Sequence, residues 1–346
     1  MESRLGYIDG LKGISAVSVV LEHLLVTIFG ISSLSSFRFP VIHNLWDGNF
    51  AVSVFIILSA VLTCHGIERH REYLLGYYRY IVLKRYFRLV VPVGTIIIMM
   101  YLLNLAGLFY AEEFGAKTGN GWLMNTTETL AHLPGNILCA PLGGCYTILR
   151  VGWMLKYVFL GTMWVIILDL LLAGKNWKSK LFLLTICTYI AWKCDFYYIN
   201  VVAGYALYSA APNLYGMSAW KKRGVSIAVI SVFCFSDFIF FGDEWNMVRA
   251  ICLVTISCTV PWMQILLSMK QLRWLGSISM NIYLLHLLVI YMVTCRLADM
   301  LPMTYFNVLM MFVVTVLLTI VIAQLYSFYV ERKLVLLTDK ILEKLQ

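Results

Sequence analysis

The chain has 346 residues, of which 61% are apolar and 13% charged, and its mean hydropathy is +0.82. Soluble domains run at roughly 45–50% apolar and about 25% charged, so an ordinary globular fold is excluded and a polytopic membrane protein remains. The net charge of +9 would point to nucleic acid in a soluble chain; here it asks only where the cations fall, and no nucleic-acid partner is expected.

At about 20 apolar residues per crossing, spans are expected near residues 13–31, 50–67, 89–109, 151–173, 180–193, 196–214, 224–241, 247–268, 274–297 and 305–330. The predicted fold is an all-α transmembrane bundle of about ten spans, forming one membrane-embedded domain over residues 1–346. No length remains for a separate soluble catalytic domain, and any chemistry must lie in the membrane or at its faces. The run at 180–193 is short for a full crossing.

The first span is preceded by Tyr7-Ile8-Asp9-Gly10-Leu11-Lys12 and carries Glu22-His23 halfway along its length. It reads as a retained helix, because a cleaved leader would have neither those residues in its interior nor lack a small-residue cleavage site. Ionisable groups inside spans are costly and are candidate functional sites by default. Lys12 and His23 are eleven residues apart, three helical turns or roughly 16 Å, so both project from one face. A cation below an imidazole suits a long ligand with an anionic head and a reactive far end; the plainer role for His23 is an interhelical hydrogen bond. Asp9 either pairs with Lys12 at the mouth or serves as a helix-start acid. Glu22 is expected on a different face from His23, since successive helical residues differ by about 100 degrees, and a partner for His23 is expected from another helix.

The second connection ends in Lys84-Arg85-Tyr86-Phe87-Arg88. Arg85 and Arg88 at i and i+3 could chelate phosphate oxygens or anchor anionic lipid headgroups. The connection at 110–150 is rich in Gly, Asn and Thr and holds Cys139 and Cys145, which could pair in an oxidising compartment. Its Asn125-Thr126-Thr127 sequon bears only on a eukaryotic setting. Most other cysteines fall in spans as small buried hydrophobes. In the ninth span Ser279, Tyr283 and His286 follow i, i+4, i+7 spacing, a polar stripe that either lines a site or forms a hydrogen-bonded seam. No phosphate-binding Gly loop, internal repeat or metal motif is present, and no metal is expected.

With the N-terminus inside, 20 of the 27 Lys and Arg residues fall on the inner connections and tails. The positive-inside rule then makes both termini cytoplasmic.

Together these segments resemble acyltransferase family 3, the integral-membrane O-acyltransferases of bacterial surface glycans, over nearly the whole chain. Tyr7-Ile8-Asp9-Gly10-Leu11-Lys12-Gly13 through Glu22-His23 resembles the family's opening motif, Phe55-Ile56-Ile57-Leu58-Ser59-Ala60 its F-F-x-L-S-G stretch, and Arg85-x-x-Arg88 its arginine pair. Leu275-Gly276-x-Ile278-Ser279 to Tyr283-Leu284-Leu285-His286 resembles a further motif, and Glu331-Arg332 the closing one. The resemblance implies a cytoplasmic acyl-CoA donor, usually acetyl-CoA, as co-substrate, a carbohydrate or glycolipid acceptor, and a place in the bacterial plasma membrane. It implies His23 as the catalytic histidine, Lys12, Arg85 and Arg88 as donor contacts, and Asp9, Ser279, Tyr283 and His286 as supporting residues. Three positions depart from the pattern: Lys12 replaces the usual Arg, Ala60 replaces a Gly and loosens a close contact, and Lys156 stands where an acid is expected. The alternatives are a transporter or flippase for a lipid-linked saccharide and a degenerate, non-catalytic member of the same family.

Overall fold

Each of the ten apolar runs contains helix in the computed structural model, which describes residues 6–30, 44–126, 128–143, 148–239 and 244–343. Arg4, Arg38, Thr127, Cys145 and Lys344 lie outside the described residues, and with them the Cys139–Cys145 pairing and the sequon. In chain order the α-helices are α1 (Gly6–Glu22), α2 (Gly48–Arg69), α3 (Leu74–Leu105), α4 (Ala111–Thr118), α5 (Leu133–Cys139), α6 (Leu155–Leu172), α7 (Trp177–Cys194) and α8 (Tyr198–Gly216). They continue with α9 (Ala219–Ile239), α10 (Glu244–Thr259), α11 (Pro261–Leu267), α12 (Lys270–Ser277), α13 (Ser279–Val289), α14 (Cys295–Met300), α15 (Tyr305–Tyr326) and α16 (Arg332–Glu343). Short π-helical turns follow α1 at His23–Ile28 and α13 at Ile290–Thr294.

Several helix starts follow from local chemistry. Asp47, Asn176 and Thr304 cap α2, α7 and α15, each side-chain oxygen accepting a hydrogen bond from a first-turn backbone N–H, which satisfies a donor the helix itself cannot. Pro261 opens α11 at its first position, where proline is tolerated, and the chain bends there by 96°.

The chain is a multi-pass membrane protein. Among the described residues, five helical stretches are long and apolar enough to cross a bilayer: Gly48–Arg69, Arg71–Leu105, Arg150–Leu172, Ser279–Met300 and Tyr305–Leu342. The bent pair Trp245–Thr259 and Pro261–Leu267 makes a sixth if counted as one span. The count is thus five or six where about ten were expected. Charge explains part of the difference: α1 carries Asp9, Lys12 and Glu22, and α7 carries Lys178, Lys180 and Lys193. On α15, Leu309, Val313, Leu317, Val321 and Leu325 form an exposed stripe at every fourth residue. An uninterrupted apolar face of that length is lipid-facing in a membrane protein and a liability in a soluble one.

α1 and α2 form the centre. α2 packs against α1, α6, α8 and α10, while α1 also packs against α11, α12 and α13. Both helices contribute to the two apolar cores, one running through α3, α6, α8 and α13 and the other through α9 and α10. α2, α6, α8 and α10 end together around one large cavity, which also includes Tyr7 near the start of α1. This is the basic end of the bundle. The opposite end holds the last turn of α1, the first turn of α2 and Trp122 of the 110–150 connection.

Candidate active site

The position of His23 follows from a backbone contact near the basic end. A Cβ added to Gly276 would lie 1.8 Å from the Asp9 carbonyl oxygen, and one added to Gly13 would lie 2.7 Å from the Gly276 nitrogen. Only residues without side chains allow α1 and α12 to meet so closely. His23 lies ten residues beyond Gly13, a rise of about 15 Å along the helix, and His286 lies seven residues into α13, beyond the break at Ile278 that separates it from α12. The two imidazoles meet, with ring centroids 5.2 Å apart and 19° between their planes.

His23 also stacks with Trp122, at 5.0 Å and 24°. Its Nδ1 is 3.2 Å from Glu22 Oε2. That carboxylate faces the start of α2, where a Cβ on Gly48 would come within 3.0 Å of Oε2, and the positive end of a helix dipole favours an anion there. A proton on Nδ1 facing Glu22 would make Nε2 the accepting nitrogen.

Two expectations are corrected. The Glu22-His23 pair sits at the far end of α1, not halfway along a span, and Glu22 is itself the partner of His23. The contact forms where α1 passes into the π-helical turn at His23, with the Glu22 side chain reaching along the helix to Nδ1.

Further polar groups surround the rings. The Arg150 guanidinium lies 5.9 Å from the Trp122 ring and donates to the Met124 carbonyl. Tyr291 packs edge-on to Trp122 at 6.4 Å. Among the described residues, four buried atoms here have no partner of hydrogen-bonding geometry: His286 Nδ1 and Nε2, Tyr291 Oη and Arg150 Nε. The Ile282 and Tyr283 backbones lie near the His286 ring without meeting that geometry. Buried polar groups are paired in roughly 90% of cases or more, so four around one stack mark a place built to meet a polar guest. Tyr283 braces the stack, its hydroxyl donating to the Val151 carbonyl at 2.6 Å and its ring packing on Phe55 and His286. Ser279 is buried at the start of α13, about 11 Å below His286 along the helix, and does not join them.

The arginine pair separates. Arg85 turns between α2 and α6, where Nε donates to Thr162 Oγ1 at 3.1 Å and Nη2 to Thr63 Oγ1 at 2.6 Å. Arg88 turns to α16 and pairs with Asp339 at 2.8 Å. Two guanidiniums at i and i+3 therefore do not converge on one phosphate, because each is drawn to a different neighbouring helix.

Residues 5–328 match the acyltransferase domain of acyltransferase family 3. The chain belongs to this family. No curated protein and no solved structure matches it significantly.

In this member of the family the other expected residues lie at the basic end. Lys12 is 3.7 Å from Asp9, so Asp9 is both a first-turn acid of α1 and the partner of Lys12. Asp9 also lines a shallow depression with Lys270, Arg273 and Trp274. The large cavity beside it has a volume of about 780 Å³, a size typical of small-molecule sites. One wall is a network absent from the sequence expectations: Arg71 holds Asp169 through two hydrogen bonds of 3.0 and 2.9 Å, and Tyr78 donates to the same carboxylate at 2.7 Å. Lys180 and Lys222 also line the cavity.

Ala60 does not loosen the bundle. A Cβ on Gly204 of α8 would lie 2.7 Å from the Ala60 Cβ and 2.7 Å from the Ile57 carbonyl oxygen, so the small residue needed at this crossing stands on the partner helix. Trp122, Arg150 and Tyr291 were all missed from sequence. Arg150 was legible only as one of seven cations off the inner connections, and the aromatic pair carried no signal beyond ordinary packing residues.

Proposed function

We propose that this acyltransferase moves an acyl group, acetyl in the simplest case, from a cytoplasmic acyl-CoA to a carbohydrate hydroxyl of a surface or lipid-linked glycan. The observation that carries the reading is the Glu22–His23 contact ringed by the unpartnered polar atoms of His286, Tyr291 and Arg150. Such a group can take a proton and meet a developing negative charge, which are the two demands of acyl transfer.

His23 Nε2 accepts the hydroxyl proton as the acceptor oxygen attacks the thioester carbonyl carbon. The new C–O bond forms, the tetrahedral intermediate collapses with cleavage of the C–S bond, and the imidazolium returns the proton to the departing thiolate. General-base assistance of this kind contributes about 10²–10⁴-fold. Glu22 stabilises the imidazolium while it exists. Arg150 and Tyr291 offer donors to the oxyanion, the role that aimed hydrogen bonds fill in acyl-transfer sites.

The basic end faces the cytoplasm in this reading, with both termini there. CoA phosphates would be met by Lys12 and by the cations around the cavity and depression, leaving the pantetheine arm to climb roughly 16 Å from Lys12 to His23. Arg85 is held between α2 and α6, and the charge of Arg88 is already paired with Asp339.

Mass spectrometry of surface glycans from cells carrying wild type or His23→Ala tests the reading. Loss of the acyl ester, with the variant still in the membrane at wild-type level, is the expected result; unchanged acylation contradicts it.

A further inference from the structure

Beside the His23 group lies a second cluster that the reaction above does not use. Asn49 follows Gly48, the residue that faces Glu22, and its Oδ1 accepts a hydrogen bond from the Tyr197 hydroxyl at 3.0 Å. The Tyr197 ring is 5.1 Å from Trp153 and 5.1 Å from Tyr157. Asp195 anchors this aromatic wall. Its Oδ2 accepts from the Tyr157 hydroxyl at 2.5 Å and from Lys156 Nζ at 3.1 Å, and its Oδ1 from the Tyr197 backbone N–H at 3.2 Å. Lys156 was read as the loss of an acid from α6; a carboxylate is nonetheless present, supplied by the connection between α7 and α8.

The ordinary role of Trp and Tyr at the ends of spans is an interfacial belt facing lipid. Trp177, Trp192 and Trp220 fit it, being 70%, 52% and 81% exposed. Trp153, Tyr157 and Tyr197 do not: Tyr157 is 3% exposed, Trp153 and Tyr197 are half-buried, and the rings pack on one another beside the start of α2. Asp195 and Lys156 keep 28% and 30% of their side chains exposed, so the polar edge of the cluster is reachable while its aromatic body is held firm.

A pyranose ring has a face of C–H bonds and an equatorial edge of hydroxyls. The negative face of an aromatic ring attracts the first, and a carboxylate beside an ammonium and an amide offers an acceptor and donors to the second. A lipid tail would gain nothing from Asp195, and an anionic headgroup would be repelled by it. We propose that Trp153, Tyr197, Asp195, Lys156 and Asn49 form the subsite that docks one sugar ring of the acceptor next to His23. This deepens the proposed function and rests on it for the place of the sugar in the reaction. Burial works against the charge on Asp195, but the hydrogen bonds from Tyr157 and Lys156 outweigh it and hold the carboxyl below its usual range, so it remains an acceptor at neutral pH.

The test is calorimetric titration of the full chain in lipid nanodiscs with chitohexaose, cellohexaose and maltohexaose as probes. At least one probe should bind saturably, with affinity about tenfold weaker in Trp153→Ala and in Asp195→Asn and restored in Trp153→Phe. No saturable binding, or binding indifferent to both Trp153→Ala and Asp195→Asn, overturns the subsite. The same proteins assayed for acyl transfer from acetyl-CoA keep the two ideas apart. Transfer without Trp153-dependent sugar binding sinks the subsite and leaves the reaction; Trp153-dependent binding without any transfer does the reverse.

Discussion

Replacing Glu22 by Gln keeps the shape of the side chain and removes one charge 3.2 Å from His23 Nδ1. The lost charge matters most when His23 carries the acceptor proton, so the penalty falls on the transition state and not on ground-state binding. Hydrogen bonds to charged groups are worth about 1.5–3 kcal/mol, and about 1.4 kcal/mol is a factor of ten in rate, which sets kcat for Glu22→Gln roughly ten- to a hundredfold below wild type. The Glu22 side chain is 29% exposed, and solvent screening draws the expectation toward the lower figure. The assay is thiol release from acetyl-CoA by membranes that carry the native acceptor, followed across a donor titration. The donor KM should change by less than about twofold, because the proposed CoA contacts lie about 16 Å away along α1. A kcat within twofold of wild type would refute the role given to Glu22.

Arg85→Ala strips three hydrogen bonds from Ser59, Thr63 and Thr162 and should destabilise the detergent-solubilised protein by about 1–3 kcal/mol, whereas Arg88→Ala breaks an exposed pair worth less than about 1 kcal/mol; thermal unfolding of both variants checks the order, and the reverse order contradicts it. Gly276→Leu forces α1 and α12 apart at a contact where even a Cβ would lie 1.8 Å from a carbonyl oxygen. It should lower folded yield by size-exclusion chromatography and abolish transfer, and wild-type yield would mean that the crossing is looser than described. Because Asp195 is held below the ordinary carboxylate range, it stays ionised as pH falls through the usual value of about 3.9. Sugar affinity should therefore be flat from about pH 7 to pH 5 and fall only below about pH 4; loss of affinity above pH 5 contradicts that state.

The sequence disclosed the helices well, because apolar runs near the length of a crossing have few alternatives, and it disclosed His23 because an imidazole within such a run is costly. Of the roughly ten expected spans, five or six among the described residues have the length and hydropathy of a crossing, and α1, α7, α8 and α9 fall short of it. His286 was legible as part of a stripe, but its meeting with His23 depends on the Gly13–Gly276 contact between helices more than 260 residues apart in the chain. Single-helix reasoning misread Glu22 because it weighed the direction of the Cβ and not the reach of the side chain, whose Oε2 comes to 3.2 Å from Nδ1. The same reasoning made Arg85 and Arg88 a pair, since it saw their shared face and not Thr63, Thr162 and Asp339 waiting on different helices. Lys156 looked like a missing acid for a similar reason: Asp195 reaches it from a connection 39 residues later.

The central claim is that CoA enters from the basic end and that His23, as general base, lets a sugar hydroxyl at the other end take the acyl group directly from the thioester. Proteoliposomes of one orientation, loaded with purified acceptor glycan on the inside, would be given radiolabelled acetyl-CoA on the side of the basic end alone. The account predicts label in the internal glycan with wild type and none above background with His23→Ala. Equal labelling by the two proteins, or labelling only when acetyl-CoA is supplied from the opposite side, would contradict it.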